Sequence, residues 1–368
     1  MTQSINESPV DAVEATEALV ERVFASTIAL FDLAAIYLGD RLGLYRSLDA
    51  EGPATSAELA ERTATDERYV REWLEQQAVT DVLSVLDEDG DASERRYGLP
   101  AGHAEALVRA DAPTYIAPLG RQALGMLRPL PSVLEAFRTG AGVPYADYGE
   151  DTRLGIADLN RVMFLNELGS EWLPAVADVH ERLLAGGRVA DLGCGTGWSS
   201  IAMAKAYPKA RVDGFDVDPA SVKAARGNAA AEGIEDRVRF HVHDASDPSL
   251  AGTYHLVTIF EALHDMGRPV EALANARRVL APGGTVIVAD ERVAERFTAP
   301  GDDIERIMYG FSVVHCLPVG RADHERSAAT GTAMRPDTLR AYARDAGFAH
   351  VGILPIDNDF WRFYRLDR

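Results

Sequence analysis

Ten residues constrain this chain more than any others: Arg188-Val-Ala-Asp-Leu-Gly-Cys-Gly-Thr-Gly197. Val189 to Leu192 are apolar enough for a buried strand. Glycines at 193, 195 and 197 then turn the chain into a helix-like run at residues 198–207. A strand, a glycine turn and a helix N-terminus present bare backbone N–H groups and the positive end of a helix dipole, because glycine has no Cβ to hold a ligand away. That describes a nucleotide-type site. The dinucleotide fingerprint G-x-G-x-x-G is not met, since Trp198 stands where its third glycine belongs and Gly197 falls one residue early. A nicotinamide dehydrogenase is disfavoured accordingly.

Three further apolar runs, at residues 212–216, 238–245 and 255–261, each finish in an acid: Asp216, Asp244 (followed by Ala245) and Glu261. With Asp191 on the first strand, four consecutive strands carry polar residues toward their carboxyl ends, which fits a ligand crevice at the edge of a parallel sheet. Asp216, about 20 residues beyond the glycines, stands where such folds place an acid for ribose hydroxyls. A Pro-Gly-Gly turn at residues 282–284 feeds a fifth strand at 285–289, capped by Asp290 and Glu291. A helix at 335–346 and two strands at 350–355 and 360–366 complete the pattern.

The 368 residues suffice for two or three domains. A formal charge of -20 argues against nucleic acid or an anionic membrane surface as the main partner. Cys194 and Cys316 make no disulfide framework, no apolar run approaches the ~20 residues of a membrane span, and the first residues lack a signal-peptide core, so a cytoplasmic setting is expected.

Residues 1–15 read as a disordered acidic tail. Residues 16–105 read as a helical winged-helix dimerisation domain. Its opening stretch spaces Leu19, Val23, Ile28, Phe31, Leu33, Ile36, Leu42 and Leu44 at roughly helical intervals, a face broad enough to need a partner, here expected to be a second copy. Two short helices at 55–63 and 66–74, with Ser56 and Asp66 as N-caps, form a helix-turn-helix, and residues 79–86 and 97–100 supply a wing. The would-be recognition helix carries Asp66, Glu67, Glu72 and Glu75 against Arg68 and Arg71, the wrong balance for phosphate contact. Residues 106–187 form a helical linker whose Met163, Phe164 and Trp172 are candidates for a substrate pocket. Residues 188–292 form the cofactor-binding core, 293–334 a lid insertion, and 335–368 the last helix and strands.

The turn at Asp191, Gly193, Gly195 and Gly197 resembles the D-x-G-x-G-x-G signature of class I S-adenosylmethionine-dependent methyltransferases. With the winged-helix pattern ahead of it, the chain resembles the small-molecule O-methyltransferases of this class, and within them a bacterial regulatory-protein-like subgroup. The resemblance implies an α/β fold, a Rossmann-like seven-stranded sheet with an N-terminal winged-helix domain. It implies S-adenosyl-L-methionine as cofactor, held by the glycine turn and by Asp216, Asp244, Ala245 and Glu261. It further implies that His264, in Leu263-His264-Asp265, is the base that removes a hydroxyl proton, with Asp265 beside it. The family's following Trp is Met266 here. An imidazole with an unperturbed pKa near 6.5 suits that role. The expected reaction is O-methylation of a small hydroxylated hydrophobic molecule without a metal. N- or C-methylation, or a cofactor-binding transcriptional regulator, are the alternatives. His315, within the lid, is a further pocket candidate, although His315 and Cys316 lack the further ligands of a zinc pattern.

Overall fold

The apolar spacing of the N-terminal stretch forms one long helix, Pro9–Leu42, in the computed structural model, which describes residues 9–322 and 326–368. Residues 9–15, expected in a disordered tail, belong to this helix. Ala12, Glu14 and Ala15 are good helix formers there, and Asp11 sits in the first turn, where it complements the helix dipole. The rest of the expected tail, residues 1–8, lies outside the described residues.

The chain divides into two compact units between Gly120 and Arg121. In the first, helices Leu44–Glu51, Ser56–Thr63 and Glu67–Val79 pack around Leu44, Tyr45, Leu59, Trp73 and Leu74. The cap of Ser56–Thr63 is Thr55, not Ser56: the Thr55 side chain accepts from Glu58 N while the Glu58 carboxylate accepts from Thr55 N, a capping box. Ser56 instead donates its hydroxyl to Glu67 at 2.5 Å. Asp66 caps the next helix as expected. Two antiparallel two-residue strands, Ser84–Val85 and Tyr97–Gly98, make the wing. Both arginines of the would-be recognition helix are engaged by their own helix, Arg68 with Glu72 and Arg71 with Glu67.

The second unit is built on seven strands: β1 (Arg188–Leu192), β2 (Arg211–Asp216), β3 (Val238–Val242), β4 (Tyr254–Phe260), β5 (Leu280–Glu291), β6 (His350–Ile353) and β7 (Trp361–Asp367). Their order in the sheet is β3-β2-β1-β4-β5-β7-β6, with only β7 antiparallel to its neighbours. Both faces are covered by helices, which is why the central strands are almost continuously apolar. Alternate residues serve opposite faces. Val189, Leu256, Ile287 and Ala289 join one core with helices Trp198–Ala206 and Pro219–Ala231. Ala190, Leu192, Val257, Ile259, Val286 and Val288 join the other, with helices Pro269–Arg278 and Pro336–Asp345.

The segment expected to be a lid folds as helix Asp303–Phe311, a π-helical turn Ser312–Cys316 and helix Leu317–Ala322. A nearly buried ion pair latches its base, with Arg335 Nη1 3.1 Å from Glu305 Oε1, which also accepts from Ala294 N.

Candidate active site

Beyond the carboxyl ends of β1, β2 and β4 lies a cavity of about 310 Å³. Its position follows from the sheet order: after β1 the chain leaves toward β2, while β4 lies on the other side of β1, and the two diverging loops open a crevice. The glycine turn forms one wall. Gly193 holds φ 74°, and a Cβ there would stand 2.5 Å from the Ala262 Cβ. Gly195 holds φ 52° with open space where a side chain would project. A substitution at either residue would strain the turn and narrow the approach to its backbone.

Asp216, at the end of β2, ties this wall together. Its Oδ2 accepts from Gly195 N and its Oδ1 from Asp218 N, both at 2.8 Å. Each oxygen keeps a second lone pair for a ligand hydroxyl. Burial pushes its pKa up to about 6 against the opposing pull of those two N–H groups. Asp244 stands farther along the same wall, its Oδ1 accepting from Ser246 N and Ser246 Oγ at 2.7 Å.

The opposite wall is made by helix Tyr145–Met163 and by residues that follow β4. Tyr145, Arg153 and Asn160 come from the helix and Glu261 and Asp265 from the residues after β4, and the segment after β5 adds His315 and Val319. Glu261 has φ 50°, an uncommon backbone state for a residue with a side chain. Its carboxylate accepts from Asn160 Nδ2. Burial pushes its pKa up to about 7. Glu291 lies behind it, and burial followed by repulsion from Glu261 raises its pKa well above the ordinary value.

His264 sits inside this acidic group rather than on the cavity surface. Its Nδ1 is 2.9 Å from Asp290 Oδ1 and its Nε2 is 3.4 Å from Asp265 Oδ1. Burial alone would lower its pKa, but Asp290 and Asp265 together raise it well above the ordinary histidine value. The two carboxylates thus favour the protonated form of the ring. His264, Asp265 and Cys316 also bring one ligand atom each within 4.8 Å of one another. Burial pushes the Cys316 thiol up to about 12, which keeps its proton on.

Residues 183–320 match the family described as a methyltransferase domain, and residues 29–109 match an Rv2258c-like winged helix-turn-helix domain. The chain thus carries a methyltransferase domain preceded by a winged helix-turn-helix domain. Among curated relatives, it is 34% identical over 99 residues to the norajmaline N-methyltransferase of Rauvolfia serpentina, covering 27% of this chain and 34% of that one. It is 29% identical over 203 residues to the ubiquinone biosynthesis O-methyltransferase of Bordetella avium, covering 55% and 77%. The chain thus spans about a third of the plant relative's length. Among solved structures, the fold resembles the mitomycin 7-O-methyltransferase at TM-score 0.71 and 21% identity, covering 97% and 99% of the two chains. It also resembles human N-acetylserotonin methyltransferase in complex with its cofactor, at TM-score 0.70 and 16% identity, covering 100% and 99%.

Of the residues expected to build the methyltransferase site, Gly193, Gly195, Asp216, Asp244, Ala245, Glu261, Asp265, Phe164 and His315 line the cavity. Five do not. Asp191 is buried in the sheet, where its carboxylate accepts from Ser199, Ser200 and Thr258 hydroxyls at 2.6, 2.6 and 2.7 Å. It clamps the turn to the following helix and to β4. Gly197 is the N-cap of helix Trp198–Ala206, and a Cβ there would collide with Phe240 at 2.5 Å. His264 is held behind the wall by its two carboxylates. Met163 packs against the core, and Trp172 lies within it among Phe164, Trp361 and Phe363. In the π-helical stretch Phe164–Trp172 the buried residues Phe164, Leu168 and Trp172 stand four apart on one inward face, and only Phe164 among them reaches the cavity.

Sequence reasoning missed Tyr145, Arg153 and Asn160. They occupy a helix whose polar residues look like a solvated face, and no motif marks them. Arg153 pairs with Asp218 at 2.8 Å, and Arg161 stacks over Trp198 with its guanidinium carbon 4.9 Å from the ring centroid.

Proposed function

We propose that this methyltransferase-family chain methylates the hydroxyl group of a small, largely apolar molecule, with S-adenosyl-L-methionine as the methyl donor. The observation that carries the reading is the two-sided cavity. One wall offers the open glycine turn, Asp216 and Asp244, and the other offers Tyr145, Phe164, Val319 and His315 with acids behind them.

The residues fit the cofactor. At Gly195 the turn leaves open the space that a Cβ would fill, Asp216 has lone pairs that would take the two ribose hydroxyls, and Asp244 would take the adenine amino group. The bound cofactor supplies an electrophilic methyl group on a positively charged sulfur. The chain's own part is to hold the acceptor in line within the apolar wall and to exclude water. Glu261, with its backbone fixed by β4 and its carboxylate by Asn160, supports the amino-acid end of the cofactor.

His264 enters this reading differently from the expectation of a base. Charged and pinned between Asp290 and Asp265, it orients Asp265 at the cavity wall and offsets the negative charge of the buried acids. The reading needs no metal. Release of S-adenosylhomocysteine, measured with hydroxylated aromatic and polyketide-like acceptors, should proceed undiminished after dialysis against a chelator. Loss of turnover on chelation, restored by one divalent ion, would transfer His264, Asp265 and Cys316 to a metal site. The N-methyltransferase of Rauvolfia serpentina keeps amine acceptors as a second reading, which the same screen covers by including secondary amines.

We further infer that two copies pair through the helix Pro9–Leu42. Val13, Val20, Phe24, Phe31 and Leu38 are exposed along it at steps of seven, four, seven and seven residues, the spacing of a coiled-coil seam. Phe24→Glu with Phe31→Glu should convert a dimer to a monomer in light scattering while leaving cofactor binding intact. A wild-type monomer at micromolar concentration removes the inference. The acidic recognition helix favours no nucleic-acid partner. Among the described residues no helix is long and apolar enough to cross a membrane, and a cytoplasmic setting is part of the proposal.

A further inference from the structure

The cavity contains one imidazole that no neighbour claims. His315 is almost wholly buried, at 1% exposure, yet lines the cavity, and its Nε2 has no hydrogen-bond partner among the described residues. A buried polar atom left unpaired costs about 1–3 kcal/mol, so its presence at a ligand cavity points to a partner that arrives with the ligand.

The ring is held rather than loose. It lies edge-on to Tyr148, with centroids 4.6 Å apart, and to Tyr145 at 5.8 Å. The Tyr148 hydroxyl donates to Val314 O at 2.8 Å, fixing the backbone next to His315. His315 Nδ1 stands 3.5 Å from Cys316 Sγ. With the ring proton on Nδ1 and directed at that sulfur, Nε2 keeps an unengaged lone pair on a ring that lines the cavity.

The groups that face this ring are Tyr145 and Tyr148 from the preceding helix, Cys316 on its own turn, and Asp265 and His264 from the turn after β4. Burial lowers the pKa of His315, Asp265 pulls it up, and the charged His264 pushes it down, with the net direction downward. The contrast with His264 is chemical. Asp290 and Asp265 draw one imidazole toward its charged form, while burial draws the other toward its neutral form and leaves its Nε2 unpartnered.

We infer that His315 Nε2 meets the acceptor hydroxyl and takes its proton. This rests on the methyl-transfer reading above. As the hydroxyl oxygen forms its bond to the methyl carbon, the carbon–sulfur bond breaks with its electron pair left on sulfur, and the O–H proton passes to Nε2. Solvent then removes it. Cys316 and the two tyrosines are positioning residues that set the tautomer and the plane of the ring.

The first test is chemical labelling of the full chain saturated with S-adenosylhomocysteine. Diethyl pyrocarbonate acylates only unprotonated, accessible imidazole nitrogen. Peptide mapping at neutral pH should find His315 modified faster than His264, because burial lowers the pKa of one ring while Asp290 and Asp265 raise that of the other. Added 4-nitrophenol should slow the labelling of His315 alone.

The second test is methyl transfer to 4-nitrophenol or catechol by the His315→Gln variant, which keeps a hydrogen-bonding end group but cannot take up a proton. Turnover should fall by about 100-fold or more, KM should change little, and the acidic limb of the pH profile should disappear. The inference is overturned if His264 is labelled first, or if His315→Gln retains the acidic limb. Labelling decides alone where neither phenol is turned over. Failure of S-adenosylhomocysteine to bind counts against the methyl-transfer reading, whereas binding without His315 labelling counts against this inference only.

Discussion

Asp216→Ala is expected to weaken S-adenosylhomocysteine binding by at least about 100-fold in calorimetry, with the secondary structure preserved. Hydrogen bonds to a charged group contribute about 1.5–3 kcal/mol each, and two ribose hydroxyls engage this carboxylate in the proposed complex, so the direct loss alone is about 3–6 kcal/mol. A second loss adds to it. Asp216 also accepts from Gly195 N and Asp218 N, so its removal frees the glycine turn that the ligand must approach. Asp216→Asn should show a smaller effect, because one amide oxygen can still accept. Asp191→Ala provides the complementary control: it should lower thermal stability by leaving three buried hydroxyls without their acceptor. Wild-type affinity in Asp216→Ala would mean that the glycine turn does not hold a ribose.

Thermal stability of the ligand-free protein should fall as pH rises from about 5 to about 8. Asp216 is shifted to about 6 and Glu261 to about 7, both by burial, and Glu291 is raised well above the ordinary range by burial and by Glu261. Each of these groups binds its proton more tightly in the folded chain than in the unfolded one. Their contribution is therefore fully present below the unfolded pKa near 4 and is lost as pH climbs through the folded values. His264 shifts in the same direction but from a higher starting point, so its contribution persists to a pH above the ordinary histidine pKa. The acids whose pKa is lowered, Asp49, Glu58, Glu67, Asp178, Asp218 and Asp247, act at the other end, losing stability only as pH drops below about 4.

A carboxyl shifted from 4.5 to about 7 is linked to about 3 kcal/mol when fully ionised. For a domain of this size that corresponds to a Tm drop of about 5–10 °C across the window. Glu291→Gln should raise Tm at pH 8 and leave it nearly unchanged at pH 5. A Tm that is flat or rising over this interval would show that the acids behind the cavity are solvated and unpaired with the imidazolium.

The sheet and the donor wall were legible in the sequence because they depend on local features. Apolar runs followed by acids locate β1 to β4, and glycines at alternate positions locate the turn. The acceptor wall was less legible because its residues are brought together from distant segments. Asp290 decides the state of His264, but the two are joined only once β4 and β5 pair, and no spacing announces which nitrogen faces which carboxylate. Asp191 reads as a ligand contact from its place before the glycines, yet three hydroxyls engage it, two from the following helix and one from β4. Trp172 reads as a pocket aromatic, but it lies on the buried face of its helix against Trp361 and Phe363. Tyr145 and Asn160 carry no pattern, since a polar residue on a helix is expected to face water until a cavity is known to lie beside it.

The two walls of the cavity come from separate stretches of chain. The glycine turn and its acids belong to β1, β2 and β3 and their loops, whereas Tyr145, Phe164, His315 and Val319 belong to helices outside the sheet. Selection can therefore work on one without disturbing the other. Substitutions among the helical residues can remodel the acceptor space while the reagent-binding half stays fixed, so a lineage with this fold can exchange one small molecule for another without passing through an intermediate that lacks its methyl donor.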